Sequence, residues 1–191
     1  MLIGLYGDSR AGKDSTARIM NEEFNFEWRS FAAPLRQILL NINPLLADDD
    51  YFLQDAVRDF GWDFVKKEYP ISVDMMIALG QSVRDLIHVD AWIWSVLTDP
   101  LPKRMVISDV RQPNEYKAII NAGGEVWKII RPGTVRRAMD GLLDHCNFAI
   151  TIHNDSDSFD LRSIVATEVN HALSYRWSGP RSDDGTSLIH D

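Results

Sequence analysis

The sequence predicts an α/β protein in which a parallel sheet of about five strands lies between layers of helices. Three observations point there. Short apolar runs alternate with stretches of helical spacing along nearly the whole chain. The first run leads straight into a glycine-rich loop and then a helix. No internal repeat or low-complexity linker divides the 191 residues, which suffice for one sizeable core. The expected layout is a single domain over 1–176, followed by a polar tail over 177–191.

The elements follow in order. "LIGLY" (2–6) reads as a buried strand, and residues 12–23 as a helix. "EWRSF" (27–31) is a second strand and "APLRQILLNI" (33–42) a second helix. Residues 45–71 are polar and aromatic, with helical spacing in "DAVRDFGWDFVKKEY". A longer helical pattern covers 72–97 and breaks near His88–Asp90. "RMVIS" (104–108) is a strand that delivers Asp109 at its carboxyl end. Residues 113–122 form a helix, with Pro113 in its first turn and Gly123-Gly124 at its end. "VWKII" (126–130) is a strand stopped by "RPG", "FAITI" (148–152) is another, and 159–175 is the last helix.

Composition excludes several classes. Hydrophobic content of 45% and charged content of 25% are those of an ordinary globular protein. A net charge of −8 argues against a surface that coats nucleic acid, yet leaves room for a local arginine cluster that binds a small anion. Cys146 is the single cysteine, so no intrachain disulfide forms, which fits a reducing compartment. The start "MLIGLYG" has no basic leader, and no apolar run reaches membrane-spanning length. The expectation is a cytoplasmic protein with no membrane and no nucleic-acid partner. The five histidines show no metal-ligand spacing.

Chemistry concentrates in three stretches. "GDSRAGKDST" (7–16) fits the phosphate-loop pattern G-x-x-x-x-G-K through Lys13, in the strand–loop–helix context that the motif needs. Its backbone amides face an anion, with Gly7, Ser9, Arg10, Ala11, Gly12 and Lys13 around it. The position after the lysine, which ordinarily carries the Ser or Thr that meets Mg²⁺, is Asp14; Ser15 and Thr16 come one step later. In "VISDVRQPNE" (106–115), Asp109 sits where a carboxylate can hold Mg²⁺ through water, and Arg111 can fork onto a phosphate. The bland alternative is a helix cap and a surface ion pair. In "ALGQSVRD" (78–85), Gly80, Gln81 and Arg84 share one helix face, while Met76, Leu79, Val83 and Leu86 share another, expected in the core. Gly80 removes a side chain beside the polar stripe, which would let a flat base or a phosphate approach.

Together these stretches resemble the phage-type deoxynucleoside monophosphate kinases of the P-loop kinase superfamily. The resemblance spans about 2–170 and adds "SFAAPLR" (30–36), "GGEVWKIIRP" (123–132) and "FAITIHND" (148–155). That family also carries Asp directly after the loop lysine. The resemblance implies a three-layer P-loop kinase fold with a helical acceptor-binding region near 45–100 and a lid-like region near 131–146. It implies transfer of the ATP γ-phosphoryl group to a deoxynucleoside monophosphate, with Mg²⁺ held by Asp14 or Ser15 together with Asp109. Lys13, Asp109 and Arg111 are the expected catalytic residues. Arg131, Asn154 and Asp155 are expected near the donor adenine. Ser30, Arg36, Gly80, Gln81, Arg84, Arg111 and Asn114 are expected at the acceptor. The family's His-x-Ser-Glu stretch is replaced here by "TVRRAMDGLLDHCN" (134–147), which leaves Arg136 and Arg137 as lid residues by region only. A homodimer is compatible with the resemblance. Trp28, Trp92, Trp94 and Trp127 read as core or interface. Two other readings stay open: a kinase for a different small metabolite, and an ATP-binding regulator that transfers nothing.

Overall fold

The computed structural model describes residues 1–46, 51–98, 100–134, 141–155 and 158–174, with no side chains described at 158 and 159. Five strands build the main sheet: β1 (Leu2–Tyr6), β2 (Glu27–Arg29), β5 (Met105–Ile107), β6 (Glu125–Ile130) and β7 (Ile150–His153). All pair in parallel, in the order β2-β5-β1-β6-β7. Strand alternation assigns side chains to two cores. Ile3, Leu5, Val106, Trp127 and Ile129 face α1 (Lys13–Phe24) and α7 (Ser158–Ser174). Leu2, Tyr6, Met105, Ile107 and Val126 face α5 (Ala91–Val96) and α6 (Pro113–Asn121) on the other side. The expected parallel sheet with helices on both faces is therefore what the chain forms.

A third, smaller core lies beside the sheet. It joins α2 (Ala32–Ile42) and α3 (Leu53–Glu68) through Leu39, Leu53, Ala56 and Val65, with Met75, Met76 and Leu79 of α4 (Pro70–Leu86) packed against them. A short antiparallel pair, β3 (Leu45–Leu46) and β4 (Tyr51–Phe52), leads into α3. No sequence pattern signals this pair, because two-residue strands have no period to read. Within α3, Gly61 takes φ 78° and ψ 164° and splits the helix into two pieces. The break expected near 88–90 falls between α4 and α5, at 87–90. Leu86 departs from its expected core place and is 84% exposed, at the last residue of α4. Strand β2 stops two residues short of the expected 31, since Ser30 and Phe31 turn to bond Asp109.

The lid-like region is described only at its ends. Arg136 and Arg137 lie outside the described residues, as does the tail from 175 onward. At the far end, Asp144 accepts hydrogen bonds from Tyr6 (3.1 Å) and Lys128 (3.0 Å), and Leu143 is fully buried. Residues 141–146 are thus pinned to the sheet. Burial and the bond to Asp144 push the Tyr6 phenol up to about 12.

Candidate active site

A parallel sheet collects its strand–helix loops at one edge, and here that edge gathers most of the chemistry. The glycine loop follows β1, Ser30 follows β2, Asp109 follows β5, Arg131 follows β6, and Asn154 and Asp155 follow β7.

The loop is held from beneath. Gly12 has φ 108°, and a Cβ there would come within 2.5 Å of Asn154 Nδ2. A Cβ on Gly7 would meet the carbonyl oxygen of Ile129 at 2.3 Å. Both positions need glycine, one for its backbone angle and both for space. Asn154 is buried and donates Nδ2–H to the Ala11 carbonyl (2.8 Å). Its amide is therefore a strut under the loop, where the sequence reading had placed an adenine contact. At the loop tip, Arg10 is exposed with φ 66°. The Lys13 ammonium donates to the carbonyls of Gly7 and Asp8, both at 2.7 Å, and so lies across the loop mouth. Helix α1 begins there without a side-chain cap. Asp14 and Ser15, on its first turn, are exposed; Thr16 is buried, with its hydroxyl unpartnered among the described residues.

Asp109 is engaged differently from the expectation. Its carboxylate accepts from Ser30 Oγ (2.7 Å), Phe31 N (2.7 Å) and Ala32 N (2.9 Å). It caps the N-terminus of α2 from a neighbouring strand, a helix distant in sequence from the one that follows it. The Ser30 hydroxyl belongs to the same cap, as it also accepts from Ala32 N (3.2 Å). Both side chains are thus engaged in this cap.

The "ALGQSVRD" and "DVRQPNE" stretches meet, but as a joint between helices. Glu115 is 4% exposed and accepts from the amides of Arg111 (2.7 Å) and Gln112 (2.9 Å), closing a capping box on α6. Arg84 lies 3.5 Å from Glu115 and also donates to the Gly80 carbonyl. Burial pushes the Glu115 carboxyl up to about 7, with Asp109 adding to the push and the two amides and Arg84 opposing it. The Gly80 carbonyl also takes Trp92 Nε1–H. The space that a Gly80 side chain would fill is taken by Leu35, 2.9 Å from the Cβ position, so no base or phosphate approaches there. Asn114 ties α6 to the α4–α5 turn through Asp90 (2.8 Å), and Gln81 bonds Asp85 on the outer surface (2.8 Å). Gly80, Gln81, Arg84, Arg111 and Asn114 do not line the cleft described next.

A cleft of about 950 Å³ opens on the α2–α3 side of the sheet edge. Asp14 and Arg18 of α1, Arg29, Ser30, Arg36, Asp63 and Lys66 line it. Trp28, Phe60 and Trp62 supply flat apolar walls. Four cations face two carboxylates in a chain whose net charge is −8. Trp28, expected in the core or an interface, is 38% exposed and keeps its indole N–H on Ser108 (3.0 Å). Trp94 is likewise 57% exposed, whereas Trp92 and Trp127 are buried as expected. Arg18, Arg29, Trp62 and Lys66 were not singled out in the sequence. The one available signal was "WDFVKK", two lysines beside aromatic residues on a helix.

No family model matches the chain. A curated protein of Acanthamoeba polyphaga mimivirus, named "Putative deoxynucleotide monophosphate kinase", is 28% identical over 145 residues, covering 70% of this chain and 75% of the relative. The resemblance read from the motifs is thus shared with a named relative. Among solved structures, shikimate kinase from Aquifex aeolicus vf5 overlaps 91% of this chain and 98% of its own, at 10% identity and a TM-score of 0.45. Dephospho-CoA kinase from Campylobacter jejuni overlaps 89% and 96%, at 13% identity and a TM-score of 0.44. Strand order and the loop after β1, rather than these overlaps, define the fold here.

Proposed function

We propose that the protein is an ATP-dependent deoxynucleoside monophosphate kinase, transferring the γ-phosphoryl group to a deoxynucleoside monophosphate. One juxtaposition carries the reading: a cation-lined, aromatic-walled cleft beside the helix that the glycine loop feeds. The size of the cleft suits a mononucleotide. The name of the mimivirus relative points the same way.

The donor side fits a polyphosphate. The uncapped N-terminus of α1 and the loop amides favour negative charge, and Lys13 lies at the loop mouth within reach of it. Arg10, Arg131 and Asp155, exposed around the same edge, are the candidates for the rest of the donor. Asp14 and Ser15, exposed on the first turn of α1, would hold Mg²⁺ directly or through water. When bound with the nucleotide, Mg²⁺ neutralises charge on the β- and γ-phosphates. Asp109 acts at one remove, by fixing α2.

In the transfer, an anionic oxygen of the acceptor phosphate bonds to the γ-phosphorus. The bond from that phosphorus to the bridging oxygen breaks, and its electron pair leaves with ADP. The attacking oxygen is already ionised, so no general base is needed. The work of the protein is positioning and charge offset. Two unit charges about 4 Å apart repel by roughly 4 kcal/mol at an effective dielectric near 20, which fixed cations must counter. Residues 1–176 would form the single domain that does this, with 45–100 as the acceptor region.

The test is ADP release by the intact protein with a panel of deoxynucleoside and ribonucleoside monophosphates, non-nucleotide metabolites and no acceptor. Stimulation by at least one deoxynucleoside monophosphate is expected. Stimulation only by a non-nucleotide makes it a kinase of another class. ATP binding without any stimulation leaves a regulator. Within that assay, Asp14→Ala is expected to raise the Mg²⁺ concentration for half activity severalfold.

A further inference from the structure

Arg36 reaches the cleft from α2, and Lys66 reaches it from the piece of α3 beyond the Gly61 break. Arg36 Nε is buried and has no hydrogen-bond partner among the described residues. An unsatisfied guanidinium N–H is costly to keep out of water. Lys66 is 3.7 Å from Asp63, a fully exposed carboxylate. Burial, then the positive charge of Arg36, hold the Lys66 ammonium below the usual lysine range, while Asp63 and Asp14 pull it back.

Several other cations among the described residues are paired within the chain, Arg29 of the same cleft with Glu27 among them. Arg58 sits between Asp55 and Asp59, Arg84 meets Glu115, and Arg162 meets Glu22 and Glu23. Arg36 and Lys66 converge from two helices on a space with too little negative charge to balance them. A doubly charged anion would satisfy the idle Arg36 donor and lift the Lys66 ammonium back toward its ordinary range. Arg84, expected at the acceptor together with Arg36 and Arg111, is already engaged by Glu115 and the Gly80 carbonyl.

We infer that Arg36 and Lys66 together hold the phosphate of a mononucleotide acceptor, and that Lys66 makes the site selective for a phosphate dianion over the bare nucleoside. The nucleotide part rests on the kinase reading; the anion part rests on the cleft itself. Trp28, Phe60 and Trp62 would flank the base.

The variants are Lys66→Met, which keeps the apolar stem, Lys66→Arg, which keeps the charge, and Arg36→Lys, which loses the planar fork. Two readouts are used on the full chain, with melting curves to verify folding; Lys66→Gln replaces the methionine variant if that one is unstable. The first is titration with inorganic phosphate, without ATP, followed by tryptophan fluorescence. The second is ADP release with the monophosphate and ATP varied separately. Lys66→Met should weaken phosphate binding at least fivefold and raise the monophosphate KM at least tenfold, with the ATP KM within twofold. Lys66→Arg should recover most of both, and Arg36→Lys should recover little. If intact protein turns over monophosphates and Lys66→Met matches it in both readouts, the inference falls and the kinase reading stands. If no monophosphate is turned over while Lys66→Met still loses phosphate binding, the anion site stands and the kinase reading falls with the nucleotide part.

Discussion

The two sides of the candidate site are built on different principles. On the donor side, the loop is fixed by backbone and buried groups: Gly7 and Gly12 by close approach, Ala11 by Asn154, Lys13 by two carbonyls. All of it rests on the largest core, between β1, β6, β7, α1 and α7. The proposed acceptor side is made of three helices around five buried side chains, and one of these helices is split at Gly61. Its outer surface carries exposed Ile71, Ile77, Leu86, Ile87 and Trp94. The donor side is rigid because its parts are short in sequence and pinned to a sheet. The proposed acceptor side is tied to the sheet by a long-range cap, Asp109 on the start of α2.

That contrast predicts how each side breaks. The largest effect is expected from Lys13→Ala. It removes the charge that, on the proposed reading, faces the transferring group. Losses from removing such a group run to roughly 10²–10³ or more in turnover. ADP release in saturating substrates measures it. Activity near that of the intact protein would mean that the loop amides alone hold the donor.

Asp109→Ala should act on the other side. It strips three hydrogen bonds from the start of α2, one from the Ser30 hydroxyl and two from backbone amides. Hydrogen bonds to a charged group are worth about 1.5–3 kcal/mol each before compensation, and water will restore part of that. A net loss near 2 kcal/mol is expected, a fall in Tm of roughly 4–8 °C for a chain of this size. The monophosphate KM should rise with it, since Arg36 sits on α2. The Mg²⁺ dependence should stay flat. A rise in the Mg²⁺ requirement without a fall in Tm would return Asp109 to the metal and remove the cap from the comparison.

The same contrast explains what the sequence could disclose. The glycine loop is legible because its geometry lies within ten consecutive residues, and the strand before it and helix after it are strongly patterned. The parallel sheet is legible because buried strands such as "LIGLY" and "VWKII" read as apolar runs. Asp109 was found as a carboxylate at a strand end, yet its partner, α2, is 77 residues away in sequence and nothing local announces it. Gly80 looked like room for a ligand; Leu35, on another helix, fills it. Nothing in the sequence singles out Lys66 from the lysine beside it. Only the Gly61 break and the packing of α3 beside α2 bring it opposite Arg36. Where function depends on one segment, periodicity and motif reach it. Where it depends on two helices meeting, they do not.

The smallest expected effect concerns the joint between the sides, Glu115 with Arg84, and it carries an unusual sign. Burial holds the folded carboxyl near 7, above its unfolded value of about 4.5. Below about pH 4.5 both states are protonated and the group contributes no slope. Between 4.5 and 7 the folded state binds more proton than the unfolded chain, so this contribution to stability falls as pH rises. Above 7 both are ionised and the slope vanishes again. Most paired carboxylates stabilise in the opposite direction. Arg84, at 3.5 Å, offsets part of the penalty, so a fall of only a few degrees in Tm is expected from pH 5.5 to 8. Glu115→Gln keeps a carbonyl oxygen for the amides of Arg111 and Gln112 and cannot ionise. Its Tm should therefore be flatter across that window, with the two curves converging on the acid side. If the curves for the variant and the intact protein run parallel from pH 5.5 to 8, Glu115 does not titrate there. The joint between α4 and α6 would then be a permanent ion pair, as rigid as the donor loop.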